Sequence, residues 1–195
     1  MAFPNLVALK VMDPLAWLGL KRGRNRHPNL AAIHNRVRAL LPNDEPVVIR
    51  YIVIVAILLT QVAQSDGRVM KCEFDHLHVL FRHIDRMPPE GIDALCQALN
   101  KHVPEMTEPE LALCFQELKS LCDAKERLQV MRLLAGQATS DGAVAPSEHR
   151  ALMAIAQELD VPSELIEDLE IEALSSETPP LAIEPRAGAE SAKRI

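Results

Sequence analysis

The chain contains one eleven-residue pattern twice, and this duplication constrains its fold more than any other feature. Residues 63–73 and 138–148 both read A-x-S-D-G-x-V-x-x-x-E, with a Glu seven positions after each Asp. Apolar residues flank the two copies at matching positions. An Asp-Gly pair is typical of a tight turn, because glycine readily adopts positive φ. The pattern therefore predicts a duplicated helix–turn–helix unit.

Composition favours an all-helical fold around that unit. The 195 residues are rich in Leu and Ala, with only 3% aromatic residues and 7 Gly, as suits helices better than sheets. We expect a single all-α bundle of about seven to nine helices with no sheet. Proline positions and capping signals place helices at residues 28–41, 47–63, 71–86, 89–102, from 107, from 123, 146–159 and 162–174.

Charge divides the chain into regions. Residues 1–40 carry seven Lys/Arg and one Asp, whereas the other 155 residues carry 14 Lys/Arg and 26 Asp/Glu. We predict a basic, apolar, helical extension over residues 1–43, a helical domain over 44–174 and a disordered tail over 175–195. The acidic body argues against a nucleic-acid partner.

The first 26 residues combine apolar side chains with a basic run. Trp17 precedes a cluster of basic residues. If the segment docks on a membrane or a partner protein, these residues would contact anionic lipid headgroups or the partner. The bases are Lys21, Arg22, Arg24 and Arg26. Two interpretations are open: a peripheral membrane or partner anchor, or an extra helix packed on the domain.

The most hydrophobic segment, residues 47–63, is predicted to be a buried central helix. Its uninterrupted apolar run covers residues 51–59, far short of the ~20 residues that a bilayer requires. We therefore expect no transmembrane span. The 4 Cys form no C-x-x-C pair and the N-terminus lacks the pattern of a secretory signal, so we expect reduced thiols and a cytoplasmic protein, peripheral to the membrane if the anchor operates.

The glutamates of the repeated pattern are placed unusually. Helical periodicity puts Glu73 and Glu148 on the core-facing side of the first turn of their helices, where a carboxylate is costly unless it is satisfied. A capping role would explain their position. The capping partners would be Met70 and Ala145, however, and neither has a side-chain oxygen.

Cation binding is the alternative role for these acids. Neither copy can form an ordinary EF-hand loop, because the first and third loop positions offer no carboxylate. A cation would therefore need ligands from both copies. The four candidate ligands are Asp66, Glu73, Asp141 and Glu148.

The paired segments resemble the TerB-like tellurite-resistance domain and the related N-terminal domain of membrane-anchored DnaJ-type co-chaperones. The resemblance covers roughly residues 46–169 and is most specific over residues 133–159. It implies an all-helical bundle in which the acids of the two copies approach one another and bind a divalent metal such as Ca²⁺, Mg²⁺ or Mn²⁺. It also implies a stress-response role with a protein partner at the inner face of the membrane.

Two further hypotheses, a zinc site and a metal-dependent hydrolase, have weaker support in the sequence. Cys72, His76 and His83 share one helix face and would offer three zinc ligands, against an interpretation as an exposed polar stripe. A metal-dependent hydrolase lacks a visible nucleophile or substrate clamp. We therefore expect a non-enzymatic interaction module, with a metal-free helical adaptor anchored by its N-terminal extension as the alternative.

Overall fold

The computed structural model describes residues 27–65, 71–82 and 87–175, with the backbone alone for residues 71–74. These residues form eight α-helices and no strand, which confirms the all-α prediction and the expected number of helices. The helices are α1 (Pro28–Leu40), α2 (Pro46–Ala63), α3 (Lys71–Arg82), α4 (Pro89–His102), α5 (Glu108–Leu121), α6 (Ala124–Ala138), α7 (Pro146–Glu158) and α8 (Leu165–Ser175). The predicted anchor segment, residues 1–26, and residues 176–195 of the predicted tail lie outside the described residues, whereas residue 175 of that tail is the last residue of α8.

Helix α2 lies at the centre of the bundle. It begins at Pro46, whose fixed φ suits the first turn of a helix, and thirteen of its 18 residues are buried. It packs against α1, α5, α6 and α7. Among the described residues it is the one helix long and apolar enough to cross a membrane, but 72% of it is buried inside the bundle. Such burial is typical of the core helix of a globular bundle.

Helix α1 shares this core. Leu30, Ile33 and Val37 are fully buried, and the helix packs mainly against α4 and α2. Its approach to α4 is close at Gly91, where an added Cβ would lie 2.7 Å from Leu40 Cδ2. Residues 28–40 therefore pack with the body of the protein, although they precede the duplicated segments.

Local capping bonds begin two of the helices, as the sequence predicted. At the start of α6, the Asp123 N–H donates to Glu126 Oε2 at 2.8 Å, and the Glu126 N–H donates to Asp123 Oδ1 at 2.9 Å. At the start of α5, the Thr107 N–H donates to Glu110 Oε2 at 2.9 Å. These bonds satisfy amide groups that have no partner within their own helix.

Helices α2 and α6, which precede the two Asp-Gly pairs, end with similar geometry. Helices α2 and α6 end 75 positions apart, at Ala63 and Ala138. Their C-terminal caps, Gln64 and Thr139, have φ/ψ of −97°/7° and −96°/6°. Helix α2 packs on α6 and α7, and α6 packs on α3, so the contacts are reciprocal.

Candidate functional site

The second Asp-Gly turn connects α6 to α7 through a glycine of positive φ. Gly142 has φ of +92°, and its N–H donates to the Thr139 carbonyl at 2.9 Å. Asp141 is exposed, and its Oδ1 accepts a hydrogen bond from the Ala143 N–H at 3.1 Å. This is the local turn chemistry that an Asp-Gly pair predicts. One carboxylate of the candidate metal site therefore lies at the surface of the turn.

Glu148 lies in the first turn of α7 and faces inward, as periodicity predicted. The residue is only 7% exposed, and its Oε2 accepts a hydrogen bond from the Ala145 N–H at 2.7 Å. Ala145 has no side-chain oxygen, so the return bond of a capping box cannot form. The carboxylate also benefits from the positive end of the helix dipole. Glu148 is thus a buried acid with at least part of its charge satisfied by the backbone.

The other half of the predicted site is not described. Asp66 lies outside the described residues, and Glu73 belongs to α3 but its side chain is not described. Within the described part of the chain, no group of three or more His, Cys, Asp or Glu side chains could hold a metal ion. The carboxylate oxygens of Asp141 and Glu148 are suitable donors for hard divalent ions. A complete site would therefore need Asp66 and Glu73 as well.

The alternative Cys/His stripe is described at one residue only. His76 is half-buried, and burial lowers its pKa, which favours the neutral imidazole. Its Nε2 atom is buried and has no hydrogen-bond partner among the described residues. The Cys72 side chain and His83 lie outside them, so zinc binding at this stripe stays a hypothesis.

Glu110 connects two helices that are distant in sequence, a role that its local motif does not indicate. The residue is fully buried, and its Oε1 accepts from the N–H groups of Asn29 at 3.0 Å and Leu30 at 3.1 Å. Its Oε2 meanwhile accepts from Thr107. Burial opposes ionisation, but these hydrogen bonds outweigh it, and the pKa of Glu110 is lowered. One carboxylate therefore caps both α1 and α5.

Asn29 extends this connection to α4. Its side-chain nitrogen Nδ2 donates to the Glu105 carbonyl at 2.7 Å, and its Oδ1 lies 3.0 Å from His102 Nδ1. The N-terminus of α1 is therefore held by the end of α4 and the start of α5. These contacts fix the position of the first turn of α1.

A buried ion pair joins the central helix to α5. Arg50 Nε lies 2.7 Å from Glu117 Oε1, and the two side chains are 7% and 10% exposed. An arginine in the apolar sequence of α2 signals a buried partner, because an unpaired buried charge is strongly destabilising. The sequence does not show that this partner is Glu117, because only the tertiary structure brings the two residues together.

The fold and the described turn define a class: an all-α bundle in which a helix–Asp-Gly turn–helix segment, α6 and α7, packs on one apolar helix. Residues 53–170 match the family model described as Tellurite resistance protein TerB. The chain therefore belongs to the TerB family, as its sequence predicted. No curated protein matches the chain, and no solved structure matches it. The matched region contains both Asp-Gly segments and excludes α1.

Proposed function

We propose that the protein is a non-enzymatic tellurite-resistance or stress-response module that binds a divalent metal through the acids of its two Asp-Gly segments. One observation carries the proposal: Glu148 is a buried carboxylate seven residues after Asp141, within the region matched by the TerB family. Ca²⁺, Mg²⁺ and Mn²⁺ are the candidate ions, because all the proposed ligands are carboxylates.

The electrostatics support this proposal. If Asp66 and Glu73 approach Asp141 and Glu148, four carboxylates repel one another, and some must be protonated or paired unless a cation is present. A divalent ion with oxygen ligands removes that repulsion, and water completes its coordination. Asp141, which is exposed, would provide access for the ion, and Glu148, which is buried, would provide a ligand held in place by the backbone.

The test is the melting temperature of chelator-treated protein with and without each metal. An ion that binds the folded state at a hundredfold excess over its Kd stabilises it by about 2.7 kcal/mol. We expect Glu148→Gln to remove this gain while leaving the metal-free protein nearly unchanged. Glu126→Gln is the matched control, because Glu126 occupies the same third helical position in α6 but belongs to neither Asp-Gly turn.

A metal-free adaptor is the second candidate function, and the bond from the Ala145 N–H to Glu148 favours it. In that case Ca²⁺, Mg²⁺, Mn²⁺ and Zn²⁺ would all leave the wild-type melting temperature unchanged. Glu148→Gln would then change the melting temperature by the same amount with and without metal, because the residue would serve only to cap α7. That combination of results would remove the metal-binding proposal.

Docking to a membrane or partner protein is the other part of the proposed function. It is assigned to Trp17, Lys21, Arg22, Arg24 and Arg26, which would place a cytoplasmic protein at the inner face of a membrane. Cosedimentation of the full chain with anionic vesicles tests it, and we expect Lys21→Glu/Arg22→Glu to weaken binding. Arg36→Glu/Arg38→Glu is the matched control, because it makes the same charge change at exposed positions of α1. Equal losses for the two variants would count against a specific docking segment.

A further inference from the structure

The outer face of α8 exposes a pair of large apolar side chains. Ile171 is 62% exposed and Leu174 is 49% exposed, and among the described residues only Val79, at 39%, joins them in this class. The inner face of the same helix buries Ile166 and Leu169 against the bundle. Residues three apart lie on one side of a helix, so Ile171 and Leu174 form one apolar patch.

Unpaired carboxylates extend this patch toward the start of α8. Glu167 and Asp168 lie within about 60° of Ile171 around the helix axis. Both are exposed, and neither has an ion-pair partner in the described part of the chain. Helix α8 contains four acids and no base. The face therefore combines an acidic half with an apolar half.

The remaining acids of α8 hold the helix in this orientation. Glu170 Oε1 lies 2.9 Å from His149 Nδ1 on α7, and Glu172 Oε2 lies 3.3 Å from Arg132 Nε on α6. These pairs lie on either side of the Ile171 face. The exposure of Ile171 is thus a consequence of how α8 is anchored to its neighbours.

The chain carries a segment of complementary character at its N-terminus. Residues 1–26 are apolar and contain five Lys/Arg and one Asp, whereas residues 176–195 contain three Lys/Arg and three Glu. Charge therefore selects the N-terminal segment over the neighbouring C-terminal one. Its length suffices, because 26 residues span about 39 Å even as a single helix, whereas a domain of this size is roughly 30–40 Å across.

We propose that residues 1–26 dock on the outer face of α8 in the same chain. The apolar part of the segment covers Ile171 and Leu174, and the basic run lies beside Glu167 and Asp168. While it is docked, the segment cannot use Trp17 and its basic run to contact a membrane or another protein. The α8 contact depends neither on that membrane role nor on metal binding, so each can fail separately.

Trp17 provides a direct probe, because it is the only tryptophan in the chain. In the full-length protein without vesicles, we expect blue-shifted Trp17 emission and protection from acrylamide. Ile171→Ser/Leu174→Ser shifts the emission to the red and removes the protection. Glu167→Lys/Asp168→Lys and added salt weaken the contact as well, because exposed charges are screened. Val79→Ser, at an exposed apolar position on α3, leaves the fluorescence of Trp17 unchanged.

Three outcomes would overturn the proposal. Trp17 could be fully accessible to acrylamide in the wild type, or it could be protected equally in the wild type and in Ile171→Ser/Leu174→Ser. Protection that disappears on dilution would assign the α8 face to a second copy of the chain. Circular dichroism of each variant confirms that the fold is retained, and later addition of anionic vesicles tests the membrane role alone.

Discussion

Arg50 on the central helix and Glu117 on α5 form an ion pair of 2.7 Å in the interior of the bundle. The removal of either partner leaves the other charge buried and uncompensated, which typically costs about 3–5 kcal/mol. We predict that Arg50→Met lowers the free energy of unfolding by about this amount, as measured by chemical denaturation.

The double variant Arg50→Met/Glu117→Met provides the check on this interpretation. Replacement of both charges by apolar groups removes the desolvation penalty, so we expect it to recover most of the stability lost in the single variant. If instead the double variant is as unstable as the sum of the two single variants, the side chains stabilise the fold independently and not as a pair.

Glu110→Gln is predicted to destabilise the fold by about 2 kcal/mol at neutral pH. Both oxygens of Glu110 accept hydrogen bonds from N–H groups, so an amide in its place must turn its NH₂ toward a donor. Glu126→Gln is the matched control, because the described bond to its carboxylate uses Oε2 alone and the amide oxygen can replace it. We expect the control to change stability by only a few tenths of a kcal/mol.

The same residue predicts a pH dependence. Because the pKa of Glu110 is lowered from its ordinary 4.5, the charged group stabilises the fold fully above that value. The stabilisation is lost as the pH falls through the lowered pKa of the folded state. The difference in unfolding free energy between wild type and Glu110→Gln should therefore shrink in acid. A difference that stays constant down to the acid transition would contradict this.

Replacement by alanine is expected to change the stability in opposite directions at Gly142 and Gly136. Gly142→Ala places a side chain at φ of +92° and should cost about 1–2 kcal/mol, although nothing lies within 4 Å of the added Cβ. Gly136 lies inside α6, and its added Cβ also meets nothing within 4 Å. Gly136→Ala should therefore stabilise by about 0.5–1 kcal/mol through helix propensity. Thermal denaturation of the two variants in metal-free buffer measures both effects, and equal signs would refute the backbone argument.

The buried cysteines should be chemically inert in the native protein. Cys96, Cys114 and Cys122 are free and buried, and burial raises the pKa of each to about 12. Since the thiolate is the reactive form, we expect iodoacetamide to leave all three unmodified until the protein is unfolded. Peptide mass spectrometry of native and denatured samples tests this site by site. If any of the three reacts in the native protein as fast as an exposed thiol, the structure around it opens locally.

Helix starts were predictable because their causes are local. Pro28, Pro46, Pro89 and Pro146 each begin a helix, since proline fixes φ and lacks the N–H that a first turn leaves unused. The last helix was predicted from Pro162 but begins at Leu165. The N–H groups of Leu165 and Ile166 bond to carbonyls three residues earlier, which makes a turn before the helix.

The buried polar contacts were not predictable in the same way. The 3.6-residue period predicts that Glu148 faces inward. The motif places it three residues after Ala145, whose N–H donates to it. The bonds from Glu110 to the start of α1 cross about 80 residues of sequence. Arg50 and Glu117 are likewise brought together only by the packing of α2 on α5. Sequence periodicity shows that such side chains face inward but does not identify their partners.

The central position of α2 has a consequence for synthesis on the ribosome. Helix α2 is completed at Ala63, but α6, one of the helices that cover it, is completed only at Ala138. At translation rates of about 5–20 residues per second, those 75 residues take roughly 4–15 s. During this interval the nascent chain displays an 18-residue apolar helix without all of its native cover. Aggregation and capture by chaperones or by the membrane-insertion machinery therefore compete with folding most strongly before the second half of the protein has emerged.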